Sequence, residues 1–280
     1  MKTKIIVSTL LLLGFGAWVW TACDKIPEDE TRISMDLGEW YGKTVVLEDF
    51  TGVGCVNCPK AAMTAQGLQT LMGDKLIVIE LHATTELVGE SITAPREAND
   101  PDLRSEDARV YSTYWKVPSL PKGLINRQQA PTEPLISDDW RGEAIKVYSE
   151  VPAATIEATA SLSGSTITVT ANGTFPQAYE IDGEIRVLAM VLEDGFSVTQ
   201  VVPGGEQSGY IHNHVLRKTI NNAWGVKVLD ARPAANSMFN YTGTVNVESD
   251  WNKANLSVAV LLCNNETKEI LNATKVKLNQ

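Results

Sequence analysis

Residues 51–60 read TGVGCVNCPK, two cysteines held two residues apart between a β-rich run and a helical pattern. That arrangement limits the fold more than any other feature of the chain. The run TVVLEDF from Thr44 reads as a strand ending just before the pair, and PKAAMTAQGLQTLMG as a helix beginning just after it. In that helix Ala62, Met63, Leu68, Leu71 and Met72 recur at rough helical spacing, and Gly73 ends the pattern. KLIVIELH follows as a continuous apolar run of strand length, as in a central strand covered on both faces. Beyond a polar insert, DLRSEDARVYSTYW reads as a helix and KVPSLPKGLINR as a proline-punctuated strand. SDDWRGEAIKVYSEV reads as a helix capped by Ser137 or Asp138. The alternation describes an α/β unit with a mixed sheet and flanking helices.

After Val151 the texture changes. TIEATASLSGSTITVTANGTF reads as a hairpin turning near Ser163 and Gly164. EIRVLAMVLED, the run around NHVLRKTI, YTGTVNVE, LSVAVLLCN and KVKLN follow, separated by turn residues. Short strands with little helical period predict an all-β sandwich of immunoglobulin-like type. The expected organisation is an α/β domain over 41–150 and a β-domain over 151–280.

The N-terminus reads as a targeting segment. MKTK supplies two lysines, and IIVSTLLLLGFGAWVW is too short for the ~20 apolar residues of a spanning helix. Small residues and a cysteine follow in WTAC, the pattern of a secretory signal over 1–22. A cysteine at that place resembles the processing site of bacterial lipoproteins, which implies lipid on Cys23 and a membrane-held mature chain. Residues 23–40, acidic and polar, then form a flexible tether. Loss of Lys2 and Lys4 with the signal takes the net charge from −10 to −12. So acidic a chain, without a basic run, excludes nucleic acid as a partner.

Four cysteines are present. Cys23 is assigned to lipid, and Cys263, in the apolar run LSVAVLLCNN, reads as a buried inert thiol. Cys55 and Cys58 are left to pair with each other, in an exported setting where disulfides persist. A four-ligand zinc site would need further Cys or His at suitable spacing, and no second CxxC or HxxxH exists. A helix N-terminus favours thiolate at the first cysteine. With uncharged Val56 and Asn57 between the cysteines, the expectation is a mildly activated, open Cys55 and a buried resolving Cys58.

EDFTGVGCVNC resembles the active-site segment of the thioredoxin superfamily. Thioredoxins carry a buried acid six residues before the first cysteine, and Asp49 stands at that spacing. The resemblance implies a proton acceptor there; the alternative is a solvated carboxylate at a strand end. It also implies a cis-proline facing the cysteines, for which Pro118 and Pro121 are candidates and the spacing favours Pro121. The alternative is two trans prolines breaking up an edge strand. More narrowly, LEDFTGVGCVNCPKA, SLPKGLINR and IHNHVLRK resemble a family of Bacteroides-type outer-membrane lipoproteins related to a 28-kilodalton outer-membrane protein. That resemblance, over roughly residues 44–275, implies a thioredoxin-like domain followed by a β-domain in the outer membrane, facing the periplasm or the outside.

Two functions compete. One is thiol–disulfide exchange by Cys55 and Cys58, with Asp49 moving the proton, Pro121 docking the substrate backbone and envelope proteins as partners. The other is a binding or adhesion lipoprotein in which the same pair is a static bridge. No cofactor is expected, and no metal. His212 and His214 in HNHV would share a strand face without an evident third ligand. His82 would end its strand near the sheet's C-terminal edge, where α/β sites gather. Five N-x-S/T sites (Asn172, Asn240, Asn255, Asn265, Asn272) read as turn and surface residues.

Overall fold

The computed structural model describes residues 37–278; the signal segment, Cys23 and the tether through residue 36 lie outside the described residues. The apolar run at 76–82 forms β2 (Leu76–His82), buried at every position. Such burial requires cover on both faces of the sheet and strands on both edges. β1 (Val45–Thr51) pairs with β2 in parallel, Val45 opposite Leu76 and Thr51 opposite His82. β3 (Lys122–Ile125) runs antiparallel on the other side of β1, with Asp49 opposite Gly123.

Helices connect these strands. α1 (Cys58–Met72) lies between β1 and β2, α2 (Glu90–Thr93) and α3 (Glu106–Tyr114) between β2 and β3, and α4 (Trp140–Tyr148) after β3. α1 buries Cys58, Ala61, Ala65, Leu68 and Met72, the three-and-four spacing of one helical face. Met63, expected on that face, points to solvent instead. Gly73 ends the helix at φ 60°, a left-handed backbone open to glycine. Ser105 caps α3 by accepting from the Ala108 amide. At α4 the expected caps, Ser137 and Asp138, are displaced: Asp139 holds the N-cap position and its side chain makes no cap bond.

The remaining chain is almost all strand. β4 (Glu157–Ser163) and β5 (Thr166–Phe175) form the expected hairpin, turning at Gly164 with φ 61°. β6 (Ile185–Glu193), β7 (Phe196–Val202), β8 (Gly205–His212), β9 (Val215–Ile220) and β10 (Val226–Leu229) follow. β11 (Ser237–Asn246), β12 (Leu256–Asn264) and β13 (Ile270–Lys277) complete the order. The sequence pattern had not marked β7, β8 or β10. β8 exposes most of its residues, so no apolar alternation announces it.

One eight-stranded sheet takes strands from both sides of residue 150, in the order β13-β12-β6-β9-β2-β1-β3 with β10 also on β6. β11-β5-β4 form a second sheet and β7-β8 a two-stranded ribbon. The described residues belong to one compact unit. The junction within the large sheet is short: Glu80 of β2 faces Val215 of β9 in parallel, and the Glu80 amide donates to the His214 carbonyl at 2.9 Å. On one face a single core joins Phe50, Ile79 and Leu81 to Met190, Leu261 and Ile270. The other face is divided. α1 and α4 cover Val45, Leu47 and Val78, while the three-stranded sheet covers Val187, Val191 and Val260.

Buried polar residues tie the halves together. Asn126 accepts from the Val46 amide at 2.8 Å and donates to the carbonyls of Thr44 and Ile270. Asn272 accepts from the Thr44 amide and donates to the Ala154 carbonyl. It is therefore a core residue and not the surface position its N-x-T context suggested. Arg127 grips Glu48 with two nitrogens at 2.6 and 2.7 Å, both side chains buried, and lies over the rings of Tyr111 and Trp115. Cys263 is buried as expected, and burial pushes its thiol up to about 12.

Candidate functional site

The loop from β1 into α1 approaches the α2 backbone too closely for side chains. A Cβ on Gly52 would stand 2.6 Å from the Ile92 carbonyl oxygen, and one on Gly54 would stand 2.6 Å from that of Ser91. The Gly54 amide uses the closeness to donate to the Ile92 carbonyl at 2.8 Å. Cys55 then turns back, its amide donating to the Gly52 carbonyl, and Cys58 closes the next turn onto the Cys55 carbonyl. The expected disulfide joins Cys55 and Cys58, with Cα atoms 5.4 Å apart. α1 starts at Cys58 with Pro59 in its first turn, where a missing N–H costs nothing.

Cys55 does not stand open. It is 6 % exposed and Cys58 is 2 % exposed, so the two differ far less than the sequence led us to expect. The β7–β8 ribbon and α2 both hold the backbone of the loop that carries Cys55. The Val201 amide donates to the Val53 carbonyl at 2.8 Å, and Gln200 Nε2 donates to the Cys55 carbonyl at 3.1 Å.

Asp49 is wholly buried, which excludes the solvated strand-end carboxylate. It lies opposite Glu80 on β2 and Gly123 on β3, and its Oδ1 has no hydrogen-bond partner. Burial first, and then the charge of Glu80, raise its carboxyl well above the ordinary range. Pro121 follows Leu120 through a cis peptide bond and immediately precedes Lys122, the β3 residue paired with Phe50. Pro121 and Asp49 therefore sit at the end of β1 from which the cysteine loop departs. Pro118 is exposed.

A second group of polar side chains lies on β2 and β8. Glu80 Oε2 is 2.9 Å from His212 Nδ1 and 3.3 Å from His82 Nε2. Burial alone would raise the Glu80 carboxyl, but hydrogen bonds from His212 and then His82 outweigh it and hold the group at about 2. Burial lowers His82, against the opposing hydrogen bond to Glu80. His212 Nε2 meets Gln200 Oε1 at 3.0 Å, so hydrogen bonds run from Glu80 through His212 and Gln200 to the carbonyl of Cys55. Among the described residues, Glu80, His82 and His212 are of metal-ligating type with donor atoms all within 4.8 Å.

His214 is not part of that group. β8 ends at His212, and His214 occupies the following turn at φ 61°, with Nδ1 2.9 Å from Asp194 and Nε2 beside Gln69. The two histidines therefore do not share a strand face. Instead the partners of His212 are Glu80 and His82, spaced two apart on β2. Their signal was present in IVIELH, where two polar residues fall on one face of a strand otherwise apolar.

The family described as Outer membrane protein Omp28 matches residues 108–280. Among solved structures, HBP35 of Porphyromonas gingivalis aligns with a TM-score of 0.66 at 17 % identity, over 86 % of this chain and 77 % of that one. A protein of Agrobacterium tumefaciens aligns with a TM-score of 0.50 at 14 % identity, over 87 % of this chain and 97 % of its own. A domain of the outer membrane lipoprotein Omp28 from Porphyromonas gingivalis matches at 23 % identity, over 46 % of this chain and 91 % of that domain, with a TM-score of 0.33. No curated protein matches significantly. At these identities the structural likenesses bear on the fold alone.

Proposed function

The chain belongs to the Omp28 family of outer membrane proteins, and we propose that it is a lipid-anchored member, held through Cys23, that exchanges disulfides through Cys55 and Cys58. In this reading the first half of the described chain is a thioredoxin-like unit and the second an immunoglobulin-like sandwich that docks or spaces a partner protein. Among the described residues no helix is long and apolar enough to cross a membrane, and a lipid on Cys23 would supply the attachment.

The observation that carries the proposal is Asp49. A buried carboxyl with an unpartnered oxygen costs stability, and this one stands at the end of the strand that delivers the cysteines. Burial raises its proton affinity well above that of an ordinary carboxyl, which favours it as a group that gives and takes a proton beside a thiol. With the pair oxidised, a substrate thiolate attacks Cys55 Sγ, the bond to Cys58 breaks, and Cys58 leaves with a proton from Asp49. The substrate's second thiolate then attacks the substrate sulfur held in the mixed disulfide, forms the substrate disulfide and releases Cys55 as thiolate. Two electrons pass from the substrate dithiol to the protein; the reverse sequence reduces a substrate disulfide, with Asp49 accepting the proton.

One observation favours the other reading, a static bridge in a binding lipoprotein: Cys55 is buried, and its carbonyl is held by Gln200 of the ribbon. The reduction potential separates the two. A value well below about −300 mV marks a structural disulfide, and one in the range of known oxidoreductases is expected for exchange. Cys58→Ser protein should in addition retain envelope proteins as mixed disulfides on Cys55. An empty trap together with a strongly reducing potential would leave only the bridge.

A further inference from the structure

We propose that Glu80, His82 and His212 form a binding site for a divalent transition-metal ion of the zinc type. The proposal does not depend on disulfide exchange. Two imidazoles and one carboxylate are a donor set suited to zinc and its neighbours. Calcium and magnesium, which take oxygen ligands, are poorly served by it. Donors around a tetrahedral ion at bond lengths of about 2.0–2.1 Å are spaced about 3.3 Å apart. Glu80 Oε2 already lies 2.9 Å from His212 Nδ1 and 3.3 Å from His82 Nε2. Little movement is needed to admit an ion among them.

Gln200 supplies an independent indication. Its Nε2 lies 3.0, 3.1 and 3.4 Å from the carbonyl oxygens of Val201, Cys55 and Gly52. Carbonyls only accept, so the amide nitrogen must face them and Oε1 must face His212. His212 Nε2 therefore carries a hydrogen and donates it to Oε1 at 3.0 Å. Its lone pair can then lie on Nδ1, aimed at the Glu80 carboxylate, where without a metal a proton must bridge the two acceptors. A ring fixed by donating its far N–H to a carbonyl-type oxygen is the usual support of a metal-bound histidine. His82 is buried and presents Nε2 to Glu80, while its Nδ1 has no partner among the described residues and so lacks the support His212 has. Of the three, Glu80 lines a surface pocket of about 170 Å³ together with Tyr210, Gln69 and His214, and the two histidines lie buried behind it. A metal ion can enter there, and water can complete its coordination.

The test uses the full chain in detergent, with the disulfide intact and bound metals stripped by chelator. Titration with Zn²⁺ in a calorimeter should show one equivalent lost in His82→Ala and His212→Ala, with affinity reduced at least 100-fold. His214→Ala should leave it unchanged. Gln200→Leu, which removes the support of the ring, should weaken it about tenfold. Co²⁺ in place of Zn²⁺ should give the intense visible bands of a tetrahedral site. If the alanine proteins fail to fold, Glu80→Gln keeps the side-chain size and carries the same expectation of loss. No stoichiometric binding, binding undiminished in these variants, or the weak bands of six-coordinate cobalt would overturn the site. The cluster would then be a hydrogen-bonded core triad that holds only a proton.

Discussion

Asp49 and the Glu48–Arg127 pair are neighbours in sequence on opposite faces of β1, and they place opposite demands on the fold. Glu48 is matched by a bidentate guanidinium, so its burial is compensated. Asp49 has no such partner. Because its folded-state proton affinity exceeds that of the unfolded chain, its cost is absent below the unfolded value of about 3.9 and grows as pH rises from there. Glu80 is the charged neighbour that adds to this. With chelator present, Asp49→Asn should raise the melting temperature at pH 7, by a stability gain of about 1 kcal/mol. The gain should vanish on approaching pH 4. The same substitution should slow exchange about 100-fold, the loss of one proton-transfer group. A faster or unchanged reaction would remove Asp49 from the chemistry. Arg127→Met strands the Glu48 carboxylate among Tyr111 and Trp115. It should destabilise by about 3–5 kcal/mol in urea unfolding.

At the scale of elements, the β7–β8 ribbon decides how the cysteines behave. α1 and the strand before it would present Cys55 at a loop, yet the ribbon lays Gln200 and Val201 across that loop. Opening it requires breaking these hydrogen bonds and withdrawing Phe196 and Val198 from the apolar cluster they form with Val53 and Leu103, although the outer strand of the ribbon is largely exposed. Gln200→Leu removes the side-chain bonds that hold the loop, each worth about 1 kcal/mol. Reduction of the disulfide by dithiothreitol should then accelerate about fivefold or more. An unchanged rate would mean that α2, through Ser91 and Ile92, is the barrier. The helices were readable from their spacing, because α1, α3 and α4 each bury one face. The ribbon was not, because β8 gains its structure from pairing with β7 and not from burying an alternating apolar side.

For the molecule as a whole, the division expected near residue 150 meets a sheet that continues across it. β9 and the turn before it bring Val215 and His214 against Glu80, Asn126 and Asn272 bridge the halves, and one apolar core runs beneath both. Calorimetry on the full chain should therefore show one cooperative transition. Residues 1–150 expressed alone should not melt cooperatively, since they lack β9 along β2 and Ile270 against Asn126. Two well-separated transitions, or a stable fragment, would count against this coupling. What the sequence determined by itself is local and periodic: the buried strands, the helix after the cysteines, the pairing of Cys55 with Cys58 and the inert Cys263. Each follows from residue type at short range, where apolar spacing fixes which side is buried. Tertiary structure alone decided that Cys55 is covered and that His212 meets Glu80 and His82. Both depend on contacts between residues more than 100 positions apart, and no period in a sequence encodes which distant strand will close over which loop.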